Sequence, residues 1–106
     1  MITAVFFVHD RQPCGFSVSG HAGWAKQGQD IVCAAVSSAA YLTANTVTDV
    51  IQCPAQVEHD PTGRLSVKVA PEQAARCRDI LQGFFSHIEQ LQQQYPRHIH
   101  TEYSEV

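Results

Sequence analysis

Charge, paired cysteines and long hydrophobic runs are what this chain has least of, and each shortage narrows what it can be. Only 16% of its 106 residues are charged, seven Lys and Arg against ten Asp and Glu, for a formal net charge of −3. Phosphate recognition relies on clustered basic residues; those here are scattered, which argues against direct binding of nucleic acid. No C-x-x-C pair occurs among Cys14, Cys33, Cys53 and Cys77. His98 and His100 would share one face of a strand, but two ligands make no site, so neither metal nor cofactor is implied. No run approaches membrane-spanning length, and Met1 to Val8 lacks the basic leader of a secretory signal. The expected setting is therefore the cytoplasm, with reduced thiols and no membrane.

What is present fits an ordinary globule: 44% apolar residues, in a length that supports one core and one domain over residues 1–106. Ile2 to His9 is β-branched and aromatic, Asp10 to Pro13 is turn-like, and Phe16 and Val18 alternate with polar neighbours, which predicts a β-hairpin. Residues 22–29 read as a polar, glycine-bounded, mobile loop. An Ala-rich run from Ile31 to Ile51 predicts the first helix, with Val36, Tyr41, Leu42 and Val47 packing on a sheet. A second hairpin follows, Ala55 to His59 and Arg64 to Ala70 around Pro61-Thr62-Gly63. Pro71-Glu72 opens a second helix whose buried face is Cys77, Leu81, Phe84, Ile88 and Leu91, ending at Tyr95-Pro96. His98 to Val106 alternates as a last strand. The order ββαββαβ predicts an α+β fold, a mostly antiparallel sheet packed with two helices.

One constellation carries chemistry. Asp30 is a favoured N-cap ahead of the Ala-rich run, which places Cys33 in the first helical turn. Unpaired N–H groups and the positive end of the helix dipole meet there and favour a thiolate. The first hairpin delivers Gly20-His21 just upstream, so His21 is a candidate base. Asp30 has two open roles, cap of the helix or partner of His21. Ser37 lies one turn after Cys33 on the same face and either bonds the thiol or substrate, or returns its hydroxyl to the carbonyl four residues back. Trp24 is either an anchor for its loop or a wall of a pocket. Cys14, Cys53 and Cys77 read as packing residues.

Gly20-His21-Ala22, Gly28, the run Asp30-Ile31-Val32-Cys33-Ala34-Ala35-Val36-Ser37 and the ββαββαβ order together resemble the ribosomal-processing cysteine protease family, Prp, over nearly the whole chain. The resemblance implies a cytosolic bacterial endopeptidase that removes the short N-terminal extension of large-subunit ribosomal protein twenty-seven, cutting after a phenylalanine pair and before alanine. It implies Cys33 as nucleophile and His21 as general base, with Gly20, Asp30 and Ser37 in support and Trp24 and Gly28 beside the substrate. An oxyanion near the Cys33 N–H and its neighbours at the helix start, and a homodimer, are further implications. Two other classes compete: a non-catalytic ribosome-associated binding module, and a redox-sensing thiol protein with Cys14 as the resolving partner.

Overall fold

A computed structural model of the chain describes residues 1–20 and 30–106. Strands β1 (Ile2–His9) and β2 (Gln12–Ser19) pair antiparallel, His9 opposite Gln12. Only Asp10 and Arg11 separate them, both at positive φ (49° and 67°), the backbone of a tight turn whose twist matches the strands. The register slips where Phe7 faces Gly15 and Val8 faces Pro13. Cys14 is thus the extra residue of a bulge, and the bulge accommodates a proline within the strand.

Helix α1 spans Ile31–Asn45 and passes into a π-helical turn, Thr46–Val50, so the regular helix is shorter than the expected Ile31 to Ile51. Its last part is rich in β-branched residues whose hydroxyls bond back: Thr43 to the Ala39 carbonyl, Thr46 to that of Leu42, Thr48 to that of Ala44. Such bonds loosen the regular ladder, and Gln52 in the left-handed region (φ 58°) ends it. Residues 31–50 are nonetheless long and apolar enough to cross a membrane by length and composition, where the sequence reading expected no such run. Val32, Val36, Ala40, Ala44 and Val47 lie in the core, but only about a third of the stretch is buried, so burial accounts for part of that composition.

Strands β3 (Ala55–His59) and β4 (Leu65–Val69) form the second hairpin. Asp60 organises its turn: one carboxylate oxygen accepts from the Thr62 N–H (3.0 Å), the Thr62 hydroxyl (2.6 Å) and the Arg64 N–H (3.1 Å). The expected second helix begins as a 3-10 stretch, Pro71–Cys77, and becomes α2 only over Arg78–Gln94. Ala70 offers no side chain to cap it, and an i to i+3 bond from the Gln73 N–H to the Ala70 carbonyl (2.8 Å) takes up a free donor instead. Strand β5 is Ile99–Glu105, so His98 precedes it and does not share a strand face with His100. His100 is exposed and bonds Glu102 at 3.2 Å.

The strand order is β3-β4-β2-β1-β5, antiparallel throughout except that β5 lies parallel to β1. This is the expected mostly antiparallel α+β arrangement. Both helices contribute to one core cluster with Ile2, Ala4 and Phe6 of β1 and Phe16 and Val18 of β2. At its centre Phe6 stacks on Phe85 (centroids 4.3 Å, planes 16° apart), and Phe16 lies 4.3 Å from Phe84. Losing one such ring from a close-packed centre costs about 3–5 kcal/mol. The rigid platform so formed brings the end of β2, the start of α1 and the tip of the second hairpin to one edge.

Candidate active site

Asp30 caps α1 from an extended conformation (φ −79°, ψ 107°), and its carboxylate accepts from the N–H groups of Val32 and Cys33, 3.0 Å each. The Asp30 carbonyl takes the Ala34 N–H at 3.0 Å. The residue is 5% exposed, so this cap is built into the body of the protein. Of the two roles considered for Asp30, the structure shows the cap. The second role considered for Asp30, partner to His21, falls outside the described residues. So do His21, Trp24, Gly28 and the expected loop over 22–29.

Gly20 closes β2 at φ 89°, where a Cβ would collide with the Met1 carbonyl oxygen; only glycine brings the chain this close. Cys33 is half-buried, with its sulfur 4.0 Å from the Ser37 hydroxyl. A cleft of about 180 Å³ opens beside them. Ile2, Val18 and Val36 make its apolar part, Ser19 and Gly20 one edge, and Cys33, Ser37 and Tyr41 its helix wall. His59, Thr62 and Gly63 face them from the second hairpin. Tyr41 was expected to pack on the sheet; instead it is 43% exposed and its hydroxyl meets Nε2 of His59 at 2.9 Å. Neither was singled out for the site from sequence, although Tyr41 follows Cys33 by eight residues and so falls on the same helical line.

The other three cysteines are buried. Burial pushes the Cys14 thiol up from its ordinary pKa, with Glu105 adding to the rise. Cys77 is pushed up to about 11, by burial first and then by the adjacent Cys53 thiol. All three therefore fit the packing role. Cys14 lies five residues before Ser19 on an extended strand, about 17 Å along it, too far to resolve an oxidised Cys33 through a disulfide. Cys14 opens instead on a separate groove of about 500 Å³, shared with Phe7, Lys68, Val69 and Pro71. Among the described residues no group of three or more His, Cys, Asp or Glu side chains is arranged to hold a metal ion.

A half-exposed thiol in the first turn of a rigid helix, facing a cleft wide enough for a side chain, suits covalent attack on a bound carbonyl. A thiol hydrolase needs a thiol so placed. Comparison with known families gives the class its name: the model of the family described as Cysteine protease Prp matches residues 1–100, and this chain belongs to that family of cysteine proteases. No curated relative matches. Solved structures share the fold. The ribosomal processing protease Prp of Staphylococcus aureus, solved with a covalently linked product peptide, superposes with a TM-score of 0.89 at 23% identity, covering 98% of this chain and 100% of that one. The same protease with a substrate peptide gives 0.84 at 22%, again over 98% and 100%. The Streptococcus mutans protein SMU.848 gives 0.84 at 22%, over 100% of this chain and 96% of that one. Membership of a protease family displaces the readings of a non-catalytic binding module and of a redox sensor.

Proposed function

We propose that this protein is a cytoplasmic bacterial endopeptidase that trims the N-terminal extension of large-subunit ribosomal protein twenty-seven, cutting after phenylalanine and before alanine, with Cys33 as nucleophile and His21 as general base. The observation that carries the reading is that Cys33 is the half-exposed thiol, in the first turn of α1 and open to a cleft, while the other three are buried. The ribosomal processing protease of S. aureus, a structural relative, has been solved with peptide bound. The whole chain, residues 1–106, acts as one catalytic domain, and it works as a homodimer.

In this mechanism the Cys33 proton passes to His21 and the sulfur attacks the scissile carbonyl, forming a C–S bond and an oxyanion. Collapse breaks the C–N bond, His21 protonates the departing amine, and water then hydrolyses the thioester with His21 again taking the proton. Asp30 fixes the helix start that carries the nucleophile. The oxyanion forms near the Cys33 N–H and its neighbours at the helix start, where the N–H groups of Val32 and Cys33 also hold the Asp30 cap. Ser37, beside the sulfur, orients the thiol or the substrate backbone. Trp24 and Gly28 flank the substrate.

The test is mass spectrometry of a peptide carrying a Phe-Phe-Ala junction, incubated with wild type, Cys33→Ser and His21→Ala. Cleavage between phenylalanine and alanine by wild type alone is expected. Cleavage by either variant at an undiminished rate would contradict the assigned pair.

A further inference from the structure

Two of the thiols that the mechanism leaves unused touch each other. Cys53 and Cys77 are 3% and 0% exposed in one core cluster, and a hydrogen bond joins their side chains. The Cys53 sulfur faces the element that carries Cys77: it lies 3.9 Å from the carbonyl oxygen of Gln73, earlier in the same 3-10 stretch, and 3.6 Å from that of Pro54. Neighbouring groups fix this approach from both sides. The Cys53 N–H donates to the Val47 carbonyl (3.0 Å), which ties the residue to the π-helical turn. The Arg76 guanidinium donates to the carbonyls of Ile51 (2.9 Å) and Gln52 (3.4 Å) and to the Gln73 side chain (3.1 Å), so the turn before Cys53 is clamped onto the 3-10 stretch. Cys14 packs in a separate cluster with Phe7 and Ala74. Cross-linking requires two cysteine side chains to stand close before reaction, and a hydrogen-bonded pair already does.

We propose that Cys53 and Cys77 are a disulfide-forming pair oxidised by a hydroperoxide, and that the bond staples the base of the second hairpin. The Cys53 sulfur takes an oxygen from the peroxide, whose O–O bond breaks with release of one water, leaving a sulfenic acid. The Cys77 sulfur then attacks that sulfur: an S–S bond forms, the S–O bond breaks, and the hydroxyl leaves with the Cys77 proton as a second water. The peroxide gains two electrons and the two thiols together lose two. Cys53 is the entry point because it retains some exposure and follows the π-helical turn and the left-handed Gln52 (φ 58°), where the helical ladder is weakest. Burial and then the Cys53 hydrogen bond raise the Cys77 pKa, while the Arg76 charge works the other way. Oxidation of this pair is therefore slower than that of the half-exposed Cys33, and the same burial shields the finished bond from reductant. Residues 54–76, the segment it closes, hold the second hairpin, which carries His59, Thr62 and Gly63 on the cleft wall. Closing a loop of about 25 residues removes conformational freedom from the unfolded chain.

Peroxide treatment of the full-length Cys33→Ala protein tests this without reference to proteolysis, since the exposed thiol is gone and cleavage is not read. After incubation with hydrogen peroxide at neutral pH, peptide mapping should find Cys53 and Cys77 lost together into one cross-linked peptide that dithiothreitol restores, while Cys14 stays a free thiol. The cross-linked form should melt about 10 °C above the reduced form. Cys53→Ala and Cys77→Ala in the same background should show neither the cross-link nor the rise; if either folds poorly, mapping of the parent protein decides alone. Sulfinic acid at either position without the cross-link, a disulfide that reaches Cys14, or a cross-link that leaves the midpoint unchanged or lower overturns the proposal. So do two free thiols after an exposure that oxidises every cysteine of the urea-unfolded protein.

Discussion

The two helices cover the same sheet and answer to different demands. Helix α2 is strongly amphipathic: Leu81, Phe84, Phe85 and Ile88 are buried, and its outer side carries Arg78, Asp79, Gln82 and Glu89. Helix α1 has no charged residue from Ile31 to Thr48, and Ile31, Tyr41 and Leu42 are exposed at 58%, 43% and 65%. A helix that only needs to be covered by water spends its outer face on charge and amide. Helix α1 lines the cleft with Cys33, Val36, Ser37 and Tyr41, while Ile31 and Leu42 lie outside it. The lesson is that α2 serves the core, whereas α1 serves both the core and the cleft wall, so damage to each should read out differently.

The largest expected effect breaks α1's part of this division. Cys33→Ser should reduce peptide cleavage by more than about a thousandfold while leaving the unfolding midpoint close to wild type, as measured by product mass and thermal denaturation. Phe85→Ala reverses the pattern: loss of a ring stacked at 4.3 Å on Phe6 should cost about 3–5 kcal/mol in denaturant unfolding, with the remaining folded fraction still cleaving. Asp30→Ala stands between the two. Removing a buried cap that satisfies two N–H groups should cost about 1–2 kcal/mol and lower cleavage as well, since Cys33 sits on the turn it fixes. Asp30→Asn, able to accept the same bonds, should restore most of the stability, and calorimetry of the pair would show it.

The smallest effect lies at the hairpin. Hydrogen bonds from Thr62 first, then from Arg64, hold the Asp60 carboxyl below its ordinary pKa. A depressed carboxyl contributes stability above the unfolded pKa of about 3.9, and that contribution is lost as pH falls through the lower folded value. Asp60→Ala should therefore unfold slightly earlier than wild type near neutral pH, and the difference should vanish in acid; a difference unchanged down to the most acidic conditions would contradict the assigned cause.

Most of the fold was legible because it follows from local rules. Alternation marked both hairpins, and the spacing of Leu81, Phe84 and Ile88 marked the buried face of α2. Asp30 as cap was readable because few residue types satisfy a first turn. Periodicity alone could not show where α1 gives way to the π-helical turn, since threonine hydroxyls compete with the ladder only once their rotamers are set. Nor could it show that Pro71 begins a 3-10 stretch. The thiol's position was legible; the wall opposite it was not, because His59 and Thr62 reach the cleft through the pairing of β4 with β2, Leu65 opposite Val18, which are far apart in the chain.

The central claim is that Cys33, alone among the four thiols, performs the chemistry. Limited alkylation with iodoacetamide, with each cysteine's occupancy read by peptide mapping and residual cleavage measured on the same samples, tests it most directly. Activity should fall in proportion to Cys33 modification while Cys14, Cys53 and Cys77 stay unmodified in the folded protein. Full cleavage after complete modification of Cys33 would contradict the account.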